Sequence, residues 1–430
     1  MPTLSHLVES RIARLSRPLA LEWPGGRAGD AGARVRLKMR DTWLLQRLAS
    51  GRIGSLADAY VRGDMEIDGQ LSEVMAIAAE LVGDPVELGS LSPGTKLLRR
   101  ARSLWRHSRA RDAVQVRAHY DLCDDFFALW LDPMRVYSCA YYLSGNMSLH
   151  EAQQAKLALV CRKLQLQPGQ HLLDIGAGWG GLLLWAAEHH GVRASGITLS
   201  ENQHAYVNRL IDQKGLRGRV DMRLMDYRDL PGTESFDRIA SVGMVEHVGS
   251  ARIDAYFSTL QRLLRPGGLV LNHGITAGGI HNAKLGAGMG DFIEKYIFPG
   301  GELMHVSHLG RSMAGAGLEQ LDDENLRPHY ARTLWDWSDA LERNLERARA
   351  LTSDATVRAY RLYLAGCAMC FEQGWLSLHQ VVASRPDGRL DSGTMHGAQC
   401  DYPFNRQHMS ARRHLSQQRR MEMRHRGSGF

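Results

Sequence analysis

From residue 151 onward, two kinds of apolar stretch alternate along the chain. Short unbroken apolar runs have the length of strands buried on both faces, and longer stretches repeat their apolar residues at helical spacing. The pattern predicts a helix over Glu151 to Leu164, a strand running into Asp174, and a helix over Leu182 to His189. A strand over Val192 to Thr198, a helix over Glu201 to Lys214 and strands over Val220 to Leu224 and Phe236 to Val242 follow. Next come a helix over Ile253 to Leu264 and, after Pro266-Gly267-Gly268, a fifth strand over Leu269 to Gly274. A sixth strand near Leu318 to Leu321, long helices over Leu334 to Leu351 and Val357 to Phe371, and a last strand over Leu376 to Val382 complete the pattern. Strands that alternate with helices imply a doubly wound α/β fold, whose parallel sheet binds ligands beyond the carboxyl ends of its strands. The two long helices carry more apolar face than the sheet needs, so they are expected to roof a lipid-sized pocket.

Residues 1–90 read as a separate small α/β domain. Arg34 to Asp41 alternates apolar and basic positions as a half-buried strand, Thr42 to Leu48 and Leu56 to Val61 are helical, Arg62 to Gly69 is a turn, strand and turn, and Leu71 to Leu81 is an amphipathic helix. Nothing in it has catalytic spacing. Residues 91–112 form a basic bridge with Lys96, Arg99, Arg100, Arg102, Arg106, Arg109 and Arg111, in which Leu97, Ala101, Leu104 and Trp105 share one helical face. That composition suits either an interfacial helix at a membrane or a solvated linker. Residues 113–395 are the expected catalytic domain and 396–430 a basic tail, expected to be disordered from Arg406.

Five residues fall at or just past predicted strand ends: Asp174, Thr198, Asp226, Glu246 and His273. Their shared rim is the physical reason to expect a site there. At its centre lies Leu172-Leu173-Asp174-Ile175-Gly176-Ala177-Gly178-Trp179-Gly180-Gly181, a strand, a glycine turn and the start of a helix. Glycine admits positive φ and close approach of a ligand to the backbone. Gly176, Gly178 and Gly181 meet the dinucleotide spacing G-x-G-x-x-G, but the next strand closes on Thr198-Leu199-Ser200 without the acidic residue a dinucleotide site wants. No lysine follows, which excludes a triphosphate loop. An acidic residue two before the first glycine, as in Asp174-x-Gly-x-Gly, is instead what S-adenosylmethionine (SAM) methyltransferases carry.

Composition adds limits. The 430 residues are 44% hydrophobic and 23% charged, with no apolar run of transmembrane length and no apolar stretch near the N-terminus that would read as a secretory signal. Six scattered cysteines suit a reducing compartment, so a cytoplasmic protein is expected. Cys367-Ala-Met-Cys370 lies in a helical pattern and has no second pair beside it, so no metal site is expected. The net charge of +7 favours an acidic partner, and the lack of nucleic-acid motifs turns that expectation toward an anionic membrane surface.

The segments HYDLCDDFFALWLD, VYSCAYY, LLDIGAGWGGL, GITLSENQ, VGMVEHVG, NHGIT, KYIFPGG, HYARTLWDW, YLAGCAMCFEQG and LHQVVASRPDG together resemble cyclopropane-fatty-acyl-phospholipid synthases. The likeness spans about 113 to 390, and the N-terminal domain with its bridge resembles the bacterial long form; Cys123-Asp124 replaces the family's usual Gly-Asn. Close relatives include mycolic-acid cyclopropane synthases and enzymes that methylate unsaturated acyl chains without closing a ring. The resemblance implies a Rossmann-like SAM-methyltransferase sheet with helical insertions over the site. It implies SAM contacts from Tyr137, Ser138, Gly176, Gly178, Thr198, Leu199, Gln203 and Asp226, beside Asp174 from the motif. It also implies a bicarbonate base held by the Cys139 main chain, Glu246, His273, the Ile275 main chain and Tyr330. Cys367 matches a cysteine regarded in the family as an active-site candidate. The implied partners are unsaturated phospholipid acyl chains at the inner face of the membrane, with peripheral contact and room for a homodimer.

Overall fold

The computed structural model describes residues 4–86, 103, 107, 124–388 and 406–409. The basic bridge, Ser103 and His107 excepted, and the tail, residues 406–409 excepted, lie outside the described residues.

The main sheet has seven strands: β5 (His171–Ile175), β6 (Arg193–Thr198), β7 (Val220–Leu224), β8 (Phe236–Val242), β9 (Leu264–Ala277), β10 (Glu319–Asn325) and β11 (Leu376–Ser384). Their order is β10-β11-β9-β8-β5-β6-β7, with β5 to β9 parallel and β11 antiparallel to both neighbours. The chain winds outward from β5 to β7, then returns to β8 on the other side of β5. That reversal opens a crevice at the carboxyl ends of β5 and β8, where a doubly wound sheet binds its ligand. Every predicted strand is present. β9 differs by starting at Leu264, because Pro266-Gly267-Gly268 is absorbed as an irregularity in its pairing with β8 rather than forming a turn.

The predicted helix over Leu334 to Leu351 is two helices. The first, Arg327–Arg343, begins about two turns earlier because Pro328 fits its first turn. It ends at Asn344, whose side-chain amide donates to Ala340 O and Leu129 O, and a short helix, Leu345–Leu351, continues. The second long helix runs Asp354–Glu372, with Ser353 capping Thr356 N. Of the tail expected to be disordered, Arg406–Met409 forms one 3-10 turn, held where Arg406 pairs with the buried Asp322 at 2.7 Å.

The N-terminal domain is a four-stranded sheet of order β2-β1-β3-β4, with β1 Leu19–Trp23, β2 Gly26–Gly29, β3 Val35–Met39 and β4 Met65–Asp68. The expected helices are present, and helix Leu4–Ile12 and the β1–β2 hairpin are additions. The hairpin escapes the pattern because β2 is Gly-Arg-Ala-Gly, held by backbone pairing without a periodic apolar face. This domain shares one continuous hydrophobic core with helices Arg327–Arg343 and Asp354–Glu372. Arg358, on the second of these, donates to Tyr60 O at 3.2 Å and to Glu66 at 2.9 Å.

The tightest point of docking is backbone on backbone. Gly54 N–H donates to Ala287 O at 2.9 Å, and a Cβ on Gly54 would fall on the Gly288 carbonyl. Gly54→Ala should therefore lower stability by about 1–3 kcal/mol through overpacking. Urea unfolding of the full chain measures it; an unchanged midpoint would show that this contact is not tight.

Candidate active site

Each rim residue is set by the end of its strand. Asp174 is one residue from the end of β5, and the turn after it passes through Gly176 at φ +74 and Gly178 at φ +57. Gly176 N–H and Ala177 N–H both donate to Ile197 O, at 3.1 and 3.0 Å, which fastens the turn to β6. Two of the loop's amides are thus committed to protein, which disfavours the pyrophosphate cradle that the glycine spacing alone left open. At the end of β6, the Thr198 hydroxyl donates to Gln203 Oε1 at 2.8 Å and accepts from Ser200 N at 3.1 Å.

These residues surround a cavity of about 140 Å³. Asp174, Gly176, Gly178, Thr198, Leu199 and Gln203 line it from the sheet side. Tyr137 and Ser138 close it from the preceding loop, and Asp226 closes it beyond β7. Asp226 is tied up in part: its carboxylate accepts from Arg228 N at 2.9 Å and from Arg228 Nε at 2.8 Å.

Two residues that the sequence did not single out organise this cavity. Helix Leu149–Lys163, started by a Ser148–Glu151 capping box, turns Gln153 and Lys156 inward. Gln153 Nε2 donates to Val136 O and Ser138 O, and Lys156 Nζ donates to Ser138 Oγ at 2.8 Å. Burial pulls the Lys156 ammonium down to about 8. Burial also pushes the Asp174 carboxyl up to about 7, with Lys156 opposing that rise. The available signal was a lysine and a glutamine three apart on an otherwise apolar helical face.

A second cavity of about 950 Å³ adjoins the first, the two sharing Tyr137, Ser138, Gly243 and His247 in their walls. Its size is at the upper end for small-molecule sites. Cys139, Glu246, His273, Ile275, Tyr330 and Cys367 all line it. The structure therefore brings together every residue named from the sequence, but in two adjoining chambers rather than on one rim.

Glu246 follows β8 in a single helical turn, Val245–Val248. Gly274 lets it come close to β9, since a Cβ there would collide with Val245 Cγ1. Ile275 N–H donates to Glu246 Oε1 at 2.7 Å. The amide expected to face a bound anion thus bonds the carboxylate itself, because the short turn brings Glu246 against the strand edge. Glu246 Oε2 is buried with no hydrogen-bond partner among the described residues. Burial pushes this carboxyl up to about 7, against the lowering effect of the Ile275 amide.

His273 stands opposite Gln380 in the β9–β11 pairing. Gln380 Nε2 donates to His273 Nδ1 at 3.0 Å, so in this arrangement Nδ1 accepts and the proton sits on Nε2. Burial holds the ring well below its usual pKa, with Lys156 and Lys163 adding to the effect, so it is neutral at pH 7. Its Nε2 is buried without a partner among the described residues. Gln380 was missed, although it is the one amide in the apolar stretch of β11.

One part of the remaining wall is aromatic. Tyr137 OH meets Tyr363 OH at 3.1 Å, and Tyr330 packs on Phe371 with ring centroids 4.7 Å apart. Phe298 and Trp375 extend it, while Asp254, Lys284, Asp291, Glu294 and Glu302 make another part of the wall charged. The Cys139 segment is pinned by Ala140 N–H, which donates to Thr333 Oγ1 at 3.0 Å. Cys367 sits in the wall of helix Asp354–Glu372; burial, then Cys370, pushes its thiol far up, so it is not a thiolate at neutral pH.

Among known proteins, residues 107–381 match the family described as mycolic acid cyclopropane synthetase. A probable fatty acid methyltransferase of Pseudomonas putida is 41% identical over 384 residues, which is 88% of this chain and 95% of that protein. The solved cyclopropane synthase MmaA2 from Mycobacterium tuberculosis is 38% identical with a TM-score of 0.61, over 63% of this chain and 98% of that one. The mycolic acid cyclopropane synthase CmaA1, solved in complex with SAH and CTAB, is 39% identical with a TM-score of 0.60, over the same shares of each chain.

Proposed function

The chain belongs to the mycolic acid cyclopropane synthetase family and has the Rossmann-like sheet of SAM methyltransferases; from that footing we propose that it adds a one-carbon unit from SAM to the cis double bond of an unsaturated phospholipid acyl chain, forming a cyclopropane ring. The observation that carries the reading is the junction of the two chambers at Tyr137, Ser138, Gly243 and His247. One chamber has the glycine wall of a nucleoside site, the other the size and a partly aromatic lining of an acyl site.

The residues present fit SAM as the co-substrate. A Cβ on Gly178 would point into open space, so the turn leaves room where the cofactor would lie. Asp174, Gly176, Gly178, Thr198, Leu199, Gln203 and Asp226 would hold it, with Tyr137 and Ser138 at its methyl end. SAM supplies an electrophilic methyl carried on a sulfonium. An alkene is a weak nucleophile, so the protein's task is alignment in a dry chamber, worth on the order of 7–11 kcal/mol in favourable cases. The alkene's electron pair forms the new carbon–carbon bond as the methyl–sulfur bond breaks, and a carbocation remains on the acyl chain. The faces of Tyr137, Tyr330, Tyr363 and Phe371 can steady that charge. Loss of a proton from the transferred methyl closes the ring.

Bicarbonate is the proposed base. The two orphaned groups suit it: Glu246 Oε2 can accept its hydroxyl hydrogen, and His273 Nε2–H can donate to its oxygen. A Glu246 carboxyl raised to about 7 lessens the repulsion that an anion would meet, and the neutral His273 offers it a hydrogen bond without a charge. Tyr330 and the main chain at Cys139 flank the same wall, while Ile275 acts by holding Glu246. Cys367 keeps a place in the wall without a chemical step. Attraction of a chain of net charge +7 to anionic lipid supports a peripheral position at the inner membrane face, in the cytoplasm. Among the described residues, no helix is long and apolar enough to cross a membrane.

Incubation with SAM and vesicles of cis-unsaturated phosphatidylglycerol tests the reading by mass spectrometry of the acyl chains. A gain of one methylene per chain that resists hydrogenation is expected. A product that keeps the added carbon but takes up hydrogen would replace ring closure with an exocyclic methylene or a methyl-branched alkene, the alternative favoured by the Pseudomonas putida relative. No gain on any acyl chain would overturn the substrate class.

A further inference from the structure

A third cavity, of about 130 Å³, lies behind the acyl chamber. Its walls come from two parts of the chain. Leu37, Met65 and Met75 belong to the N-terminal domain, and Met289, Gly366 and Met369 to the catalytic domain. None of the described residues lining it carries a charge. A cavity of that composition stays dry and favours apolar occupants. It shares Leu285, Ile293, Tyr363, Cys367 and Leu376 with the acyl chamber, so a single layer of side chains separates the two.

Gly366 gives an independent indication that this space is kept open. It sits inside the 19-residue helix Asp354–Glu372, where glycine is a poor helix former. A Cβ there would meet nothing nearer than Met75 Sδ at 4.0 Å. Packing does not demand glycine at this position, yet a larger side chain would occupy the cavity.

We propose that the methyl end of the acyl chain passes between Cys367 and Ile293 into this cavity, so that the N-terminal domain forms the end wall of the acyl site and measures the distance from the double bond to the chain terminus. The inference rests on the acyl-chain reading of the larger chamber. It gives the N-terminal domain, whose residues precede the 107–381 family match, a role in substrate selection. It also gives Cys367 a role as a gate residue between the acyl chamber and this apolar cavity.

The test uses the full chain, SAM and phosphatidylglycerol vesicles carrying cis-monounsaturated chains. The carboxyl-to-double-bond spacing is fixed, and the methyl end is lengthened two carbons at a time. Gly366→Leu should fold at least as well as the parent, since it improves helix propensity. It should lower kcat/KM for the longest methyl ends roughly tenfold relative to the shortest, the worth of one to two methylenes denied burial. Gly366→Ala should show the same trend more weakly, and Met75→Ala should shift preference toward longer ends. Calorimetric binding of the matching free fatty acids, without SAM, is the second readout. A uniform loss over the whole series, or no change in either readout, overturns the ruler. A graded shift in binding in a protein that transfers nothing would instead retain the ruler and overturn the proposed reaction.

Discussion

Glu246→Gln should lower turnover roughly 100- to 1,000-fold while leaving SAM affinity unchanged, because it removes one partner of the proposed base without touching the smaller chamber. Depleting bicarbonate should slow the parent protein and do little further harm to the variant. The pH profile gives a second signature. With the Glu246 carboxyl raised to about 7, parent turnover should climb as pH rises through that value, and the part of the inflection due to Glu246 should vanish in the variant. His273 stays neutral across this range and adds no inflection of its own.

Stability should move the other way. The Glu246 carboxyl titrates near 4.5 when unfolded and near 7 when folded, so between those values the folded chain binds more protons and loses stability as pH rises. Relative to its parent, Glu246→Gln should be more stable at pH 8 than at pH 5, by up to about 3 kcal/mol. Urea unfolding at the two pH values, beside turnover with and without added bicarbonate, checks all of this. A parent rate indifferent to bicarbonate, or a variant that fails because it no longer binds SAM, would sink the base and return Glu246 to cofactor binding or structure.

The second large effect is expected at the glycine turn. Gly178 has φ +57 with nothing near its missing Cβ, and asparagine is among the side chains that tolerate that backbone best. Gly178→Asn should therefore fold normally and intrude on SAM, weakening its binding by about 1–3 kcal/mol, or roughly 5- to 150-fold. Gly176 is the poorer choice, since a Cβ there would stand 2.6 Å from Met244 Cγ at φ +74 and disturb the fold as well. Calorimetric titration of SAM into the folded variant is the measurement; undiminished affinity would move the cofactor elsewhere.

Much of this site was legible because its residues sit where a parallel sheet must place them. Asp174, Thr198 and His273 lie within strands that apolar runs announce, and Asp226 and Glu246 lie just past two others. Lys156 and Gln380 were not legible. Lys156 lies close to Gln153 and Gln154 and Gln380 directly follows His379, so neither stands out, and only the fold aims one at Ser138 and the other at His273. The break at Asn344 was hidden for a related reason: the apolar period continues across it, while the amide that ends the helix finds Leu129 O far away in sequence.

By itself the sequence determined the strand and helix succession, the glycine turn and the place of Asp174, Thr198, Asp226, Glu246 and His273 at or just past strand ends, because periodicity and turn chemistry act over a few neighbouring positions. Tertiary structure decided the rest. It divided one rim into two chambers, left Glu246 Oε2 and His273 Nε2 without partners among the described residues, and raised the two carboxyls at Asp174 and Glu246. It also set the N-terminal sheet against helix Asp354–Glu372, nearly three hundred residues away at Tyr60 and Arg358. Desolvation, orphaned hydrogen-bonding groups and cavity walls are properties of what packs around a group, and those neighbours are brought together only when the chain folds.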